Sequence, residues 1–358
     1  MPDRKKNLDM MVRAFAATSP DAPLAPFELE RRETRDDDVV IDILYCGVCH
    51  TDLHLARNHG GFTTYPIVPG HEIIGRVREV GPQVTRFGVG DLVGVGCMVD
   101  SCQQCAPCRH GWEQNCSAGA TFTYNSVDKR DGMQTYGGYS DAITVTENFV
   151  LSLPAELDPA GAAPLLCAGI TTWAPLHRWN VREGSRVAVI GLGGLGHMAL
   201  KLAKALGAEV SLFTRSAGKE ADAFRLGADE VILSGAPEQM AAAAGRFDVI
   251  IDTVPYDHDV NPYLPTLALE GVLVLVGYMG PLGTPVNAGA IVGGRRAITG
   301  SFIGGVSETQ QMLDFCGANG IVSDVEILPI QDINQAYERM LKSDVKYRFV
   351  IDMASLAE

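Results

Sequence analysis

The stretch RVAVIGLGGLGHMALKLAKALGA, residues 186–208, decides the fold. Its first five residues form a short, β-branched apolar run, as a buried parallel strand requires. Gly191-Leu192-Gly193-Gly194-Leu195-Gly196 follows at once, and the Ala/Leu/Lys-rich pattern predicts a helix over His197–Leu206. The spacing G-x-G-x-x-G is weak alone and specific between a strand and a helix. Gly191 permits the tight turn, Gly193 lets a pyrophosphate approach the backbone, and Gly196 lets helix and strand pack closely. The free N–H groups and the positive end of the helix then attract phosphates. A bare tight turn is the alternative reading.

Outward from there the pattern alternates. EVSLF (209–213), EVIL (230–233), FDVIID (247–252) and VLVLVG (272–277) read as strands, and Gly218–Leu226 as a helix. Strands alternating with helices predict a Rossmann-type, doubly wound parallel sheet, placed at residues 162–301. An enzyme that uses NAD usually carries Asp or Glu at the end of the second strand, about 20 residues past the glycines. This chain has Thr214-Arg215-Ser216 there, with Lys219 nearby. Hydroxyls, a guanidinium and an ammonium suit a 2′-phosphate, which favours NADP(H). Solvated charges at a helix start are the alternative.

The residues before Pro154 have a different texture. Val39–Tyr45, Ile73–Val80, Asp91–Val95, Tyr139–Val145 and Phe149–Leu153 are short β-like runs punctuated by Gly and Pro, which predicts a β-rich barrel or sandwich. After Gly300, helices are predicted near Glu308–Cys316 and Ile333–Leu341. The strand KYRFVIDM (346–353) is expected to return to the first domain, giving a β-rich domain of residues 1–161 and 302–358.

The cysteines carry the next signal. Cys102-x2-Cys105-x2-Cys108-x7-Cys116 places four thiols within 15 residues. Four thiolates in a short loop suit a closed, tetrahedral structural zinc site. An iron–sulfur cluster also fits such a set. Cys49 in CGVCHTDLH, His71 in GHE and Cys167 in LCAGITTW have the composition of an open zinc site. Taken singly, each Cys also fits a small buried residue, and His71 a core histidine. Cys46-x-x-Cys49-His50 matches the c-type haem attachment pattern and the redox dithiol pattern as well.

Composition bounds the function. The chain has 358 residues, with 29 Lys+Arg against 43 Asp+Glu and a net charge of −14. Such a chain repels phosphate backbones, which argues against nucleic acid and against an anionic membrane surface as partners. Val272–Val276 is far shorter than a membrane span, and MPDRKKNLDM lacks the apolar core of an export signal. A cytoplasmic protein with reduced thiols is the expectation.

Taken in order, GVCHTDLH, PGHEIIGRV, GVGDLVGVG, the four-Cys segment, YGGYSD, LCAGITTW, GLGGLGHMALKLAKALGA and ITGSFIG resemble the zinc-containing medium-chain alcohol dehydrogenases. The cinnamyl-alcohol-dehydrogenase-type branch, with its NADP-dependent aldehyde reductases, is the best match. The resemblance spans nearly the whole chain and implies a GroES-like catalytic domain beside the Rossmann domain. It implies that Cys49, His71 and Cys167 bind a catalytic zinc, with Glu72 an alternative ligand, and that the four clustered cysteines bind a second, structural zinc. Thr51 would touch the substrate oxygen and start a proton relay through the ribose to His54. His50 would lie near the pyrophosphate, and Thr171, Thr253, Gly277 and Ser301-Phe302-Ile303 would line the dinucleotide. Cys97, Met98 and Phe122 are substrate-pocket candidates.

The implied activity is hydride transfer between NADP(H) and primary alcohols or aldehydes, medium-length or aromatic, in a homodimer joined near Gly300. Plant enzymes of lignin formation carry a Trp shortly after the last clustered Cys. Ala118-Gly119-Ala120-Thr121-Phe122 stands there in this chain, which argues against a specialised cinnamyl role. Two other readings stay open: a zinc-free reductase of activated double bonds, and a catalytically silent or redox-sensing dinucleotide-binding zinc protein. Residues 126–135 have no role assigned from sequence.

Overall fold

A computed structural model describes residues 10–357. It divides into two units, Met1–Cys167 with Gly305–Glu358, and Ala168–Gly304.

The second unit is built on a six-stranded parallel sheet. Its spatial order is Glu230–Leu233, Glu209–Thr214, Arg186–Ile190, Phe247–Asp252, Leu267–Leu275 and Ala297–Gly300. The order reverses between Arg186–Ile190 and Phe247–Asp252, and in such sheets ligands bind beyond the strand C-termini at that reversal. Ala188, Ile190, Phe213, Ile250 and Leu273 are buried on these strands, with Phe247 edge-on to Phe213 at 5.4 Å. The helix predicted over 218–226 begins as a 3-10 turn, Ala217–Lys219, and continues as Glu220–Arg225.

The first unit is mostly antiparallel. Its main sheet runs Val325–Pro329, Arg348–Asp352, Asp38–Gly47, Ile73–Val80, Leu92–Val95 and Leu151–Ser152, with Ala142–Thr146 also on Asp38–Gly47. The strand Arg348–Asp352 does return to this sheet, pairing Ile351 with Cys46. Val39, Ile41, Ile73, Ile74, Val93 and Val95 are buried in it. The strand expected over 139–145 starts later, at Ala142, because Gly137-Gly138-Tyr139 instead bonds the Val68-Pro69-Gly70 turn through its backbone N–H groups. The run expected over 149–153 is a 3-10 turn, Glu147–Phe149, and a two-residue strand.

The boundary between the units falls after Cys167, later than the composition change suggests. The 3-10 turn Ala163–Leu166 packs on the first unit's sheet, where Leu166 lies against Gly94.

Residues 126–135 form a small strap, closed by a bridge between Val127 and Gln134. Arg130 holds Asp37 through two bonds of 2.8 and 2.9 Å, and Arg35 reaches Asp128 at 2.9 Å. The Arg130 guanidinium, aided by Thr146, brings Asp37 down from its ordinary 3.8 to about 2. The folded value lies below the unfolded one, so this contribution is complete above the unfolded value and is lost as pH falls through the folded one. The Tm advantage of wild type over Arg130→Ala is therefore expected to shrink between about pH 4 and about pH 2. Both groups are over a third exposed, so the advantage is small. A Tm difference independent of pH would show that the ion pair does not tie the strap.

Candidate functional site

The metal-ligand candidates sit at ends of elements in the first unit. Cys49 is the residue before helix His50–Ala56, His71 and Glu72 immediately precede strand Ile73–Val80, and Cys167 follows the turn Ala163–Leu166. One ligand atom from each of Cys49, His71, Glu72 and Cys167 lies within 4.8 Å of the other three.

Second partners orient these side chains. Asp52, fully buried, accepts from Cys49 N–H at 2.8 Å, from Gly70 N–H at 3.1 Å and from the Tyr139 hydroxyl at 3.3 Å. It also lies 3.1 Å from His71 Nδ1. That contact fixes the ring and leaves Nε2 for a metal, the usual second-sphere arrangement. Tyr124 stacks on the same ring at 5.8 Å. Burial works against a charge on His71, but Asp52 and Cys97 raise it well above its ordinary value. The Cys167 thiol and His71 hold Cys49 well below the ordinary thiol range. Burial pushes Glu72 up to about 7, against the pull of Arg348, which bonds its Oε1. Glu72 Oε2 is buried without a hydrogen-bond partner.

Two thiols, an imidazole and a carboxylate with an orphaned oxygen therefore converge beside one buried guanidinium. Once ionised, the set carries excess negative charge that a divalent cation neutralises, and its chemistry is that of zinc. Cys46 takes no part. Its sulfur packs where Gly70 and Gly138 approach, in the core of the sheet, so the C-x-x-C-H pattern here is two cysteines with separate surroundings.

The second set is Cys102, Cys105, Cys108 and Cys116, again with ligand atoms all within 4.8 Å. Cys105 Sγ lies 3.3 Å from Cys108 Sγ and 4.0 Å from Cys116 Sγ. Backbone N–H groups of Cys102 and Ser117 donate to the sulfurs of Cys116 and Cys105 at 3.4 Å. Backbone donors at Cys108 and Ser117 bring the Cys105 thiol down to about 6. N–H groups aimed at sulfur favour thiolate, the form that binds metal. The same loop supports a helix: Glu113 accepts from Val306 N–H at 3.1 Å at the start of Val306–Asn319.

Next to the first set, Cys97 Sγ donates to the Leu166 carbonyl at 3.8 Å, one residue before Cys167. Met98 and Phe122 are direct cross-strand partners in the ribbon of Met98–Asp100 and Thr121–Phe122. Met98 and Phe122 thus share one ribbon, and Cys97 immediately precedes its first strand. Thr51 Oγ1 lies 3.7 Å from Cys49 Sγ, and His50, Thr51 and His54 share the short helix.

In the second unit, Gly191 takes φ 90°, and a Cβ on Gly196 would meet the Gly191 carbonyl oxygen at 2.1 Å. A Cβ on Gly193 would meet nothing within 4 Å. Nothing in the fold requires glycine there, so the open face of the loop suits a group that approaches the backbone. Thr253 Oγ1 donates to the Ile190 carbonyl at 2.7 Å, and Gly277 lies against the Thr253 backbone. Thr214 ends its strand, and Ser216 N–H donates to Thr214 Oγ1 at 3.2 Å. Lys219 Nζ donates to the Leu192 carbonyl at 2.8 Å, and Arg215 to the Tyr256 hydroxyl at 2.7 Å. Gly194 and Leu195 complete the loop, and Thr171 is buried in helix Ala168–Arg178. Ser301, Phe302 and Ile303 follow the edge strand, and Ile303 takes φ 39°, a strained value for a β-branched residue.

Sequence reading missed Asp52, Arg348 and Tyr256. Asp52 had a visible signal, an acidic residue three places after the residue that starts a helix. Arg348 had a weaker one, a cation inside an apolar strand.

Residues 35–155 match the family described as "Alcohol dehydrogenase GroES-like domain", and residues 194–318 the family described as "Zinc-binding dehydrogenase". The chain is 51% identical over 347 residues to NADP-dependent alcohol dehydrogenase C 1 of Mycolicibacterium smegmatis, covering 96% of this chain and 99% of that protein. It is 49% identical over 351 residues to Aldehyde reductase YahK of Escherichia coli, covering 98% and 100%. Among solved structures, a Sorghum bicolor cinnamyl alcohol dehydrogenase superposes with TM-score 0.92 at 44% identity, covering 96% of this chain and 98% of that one. The Helicobacter pylori enzyme complexed with NADP(H) gives 0.90 at 40% identity, covering 97% and 99%. The chain therefore belongs to the zinc-containing medium-chain alcohol dehydrogenases, in the cinnamyl-alcohol-dehydrogenase-type branch.

Proposed function

We propose that this protein is a zinc- and NADP(H)-dependent alcohol dehydrogenase that works as a reductase of medium-length and aromatic aldehydes. The convergence of Cys49, His71, Glu72 and Cys167 within 4.8 Å carries the reading. Those residues would hold the catalytic zinc, and Cys102, Cys105, Cys108 and Cys116 the structural one. Bound zinc supplies Lewis-acid polarisation of an alcohol or carbonyl oxygen, and the dinucleotide supplies or takes the hydride.

The chain's own residues supply position and protons. Asp52 orients His71, and Arg348 balances the charge on Glu72. Thr51 Oγ1, next to Cys49, offers a hydroxyl to the substrate oxygen. A Thr hydroxyl is a poor acid at neutral pH and needs a shuttle. His54 stands one helical turn on, at i+3, on the same face. Partial desolvation of its ring, then His59 and His50, lowers its pKa, so its imidazole is neutral near pH 7 and can both give and take a proton. His50 would lie near the pyrophosphate, and Cys97, Met98 and Phe122 offer a mainly apolar wall to the substrate. Gly191, Gly193 and Gly196 cradle the pyrophosphate, Thr214, Arg215, Ser216 and Lys219 take the 2′-phosphate, and Thr171, Thr253, Gly277 and Ser301-Phe302-Ile303 line the rest of the dinucleotide. The edge strand Ala297–Gly300 supports a homodimer joined there. Among the described residues no helix is long and apolar enough to cross a membrane. Nine free thiols suit the cytoplasm.

The test is a panel of aliphatic and aromatic aldehydes assayed with NADPH and with NADH, alongside metal analysis. Aldehyde-dependent NADPH oxidation, with one zinc for each ligand set, is expected. A protein that turns over no aldehyde while binding both metal and dinucleotide would support the catalytically silent reading instead. Arg215→Ala is expected to raise KM for NADPH about tenfold, the weight of a charge-assisted bond, and to leave KM for NADH unchanged. Equal effects on both cofactors would remove Arg215 from the 2′-phosphate site.

A further inference from the structure

The end of helix His50–Ala56 brings a second imidazole to His54. Asn58 takes the left-handed φ of 52°. Its N–H donates to the Leu55 carbonyl at 3.0 Å, and the N–H of His59 donates to the His54 carbonyl at 2.9 Å. These two bonds make a Schellman-type helix end, which folds the side chain of its last residue over the side chain five positions back. That contact is commonly apolar. Here it joins His59 to His54, with Nδ1 atoms 2.7 Å apart and ring centroids 5.0 Å apart. Two ring nitrogens at this distance share a proton, one ring donating and the other accepting. The turn is fastened from outside as well. Thr63 N–H donates to Asn58 Oδ1 at 2.9 Å, and the Thr63 hydroxyl donates to the Leu55 carbonyl at 2.7 Å.

We propose that His59 is the second member of a two-imidazole proton relay that connects His54 with solvent. The proposal rests on the reading of His54 as the proton shuttle. The shared Nδ1 contact leaves Nε2 of each ring for exchange, and both residues are exposed. In aldehyde reduction, a proton from water binds His59 Nε2. The Nδ1 proton of His59 moves to His54 Nδ1, and the Nε2 proton of His54 leaves toward Thr51. One proton enters and one departs, each ring forms one N–H bond and breaks one, and both remain neutral. Alcohol oxidation runs the same bonds in reverse. Exchange with water restores the starting tautomers.

The surroundings suit neutral rings. His50 lies 6.3 Å from His54 on the same helix, and Cys49 precedes it. Asp52 is on the buried face, engaged by His71. Arg57 is committed to Glu338 of helix Ile333–Leu341 at 2.5 Å.

The experiment compares zinc-loaded wild type, His59→Gln, His59→Ala and His54→Gln in aldehyde reduction with NADPH, in dilute buffer and with added imidazole. Imidazole ¹⁵N NMR of each protein without substrate provides a second readout. His59→Gln and His59→Ala are expected to lower kcat about fivefold in dilute buffer, a small part of a general-acid effect, with KM unchanged. Added imidazole should restore kcat, which it would not do for a purely structural defect. The His54 Nδ1 resonance should lose its shared-proton shift in His59→Ala. If both His59 variants keep wild-type kcat in dilute buffer while His54→Gln is impaired, His59 is a helix-end residue and the relay stops at His54. If His54→Gln is also unimpaired, the shuttle reading of His54 fails, and the relay with it.

Discussion

Cys167→Ser and His71→Ala proteins are expected to fold, to lose the catalytic zinc and to lose turnover. Lewis-acid stabilisation of a developing alkoxide supplies several kcal/mol, so kcat should fall about a thousandfold or more. The fold should survive for a specific reason. Removing His71 takes one partner from the buried carboxylate of Asp52, which keeps Cys49 N–H, Gly70 N–H and the Tyr139 hydroxyl. Removing the Cys167 sulfur leaves Leu165 and Leu166 buried on the sheet. Circular dichroism and NADPH binding should match wild type, while metal analysis should show zinc at the four-cysteine set only. Wild-type kcat in zinc-free protein would end the metal mechanism.

Cys105→Ser should show the opposite division, a stability defect with the catalytic ligands untouched. The segment 102–116 is short, and its only buried residues are Cys108 and Cys116. It has too little apolar surface to hold itself together, and a bound structural metal is folding free energy in such a segment. Loss of the metal frees Glu113 from the start of helix Val306–Asn319 as well. A Tm lowered by at least about 5 °C is expected, with one zinc lost per chain. An unchanged Tm and zinc content would contradict a structural site.

What was legible in the sequence was local. Strand, glycine turn and helix at 186–205 depend on neighbours in the chain, and so does the four-cysteine spacing. Composition suggested Cys49, His71 and Cys167 as an open zinc set, but only resemblance tied them to one metal, because three separated segments have no spacing that joins them. Their supports were hidden for the same reason. Tyr139 reaches Asp52 across 87 positions, Glu113 reaches Val306 across 193, and Arg348 reaches Glu72 across 276. The strap at 126–135 read as an unexplained insertion because Arg130 and its partner Asp37 are 93 positions apart. The strand near Tyr139 starts late because backbone bonding to residues 68–70 overrode a β-like composition, and Phe149 closes a 3-10 turn.

The ion pair of Arg348 with Glu72 also sets an order of assembly. During synthesis all four donors of the first metal set leave the ribosome before the dinucleotide-binding unit, and Arg348 leaves after it. A nascent chain therefore displays sulfur, imidazole and carboxylate without their counter-charge, and the mature electrostatics of the metal set are a property of the finished polypeptide.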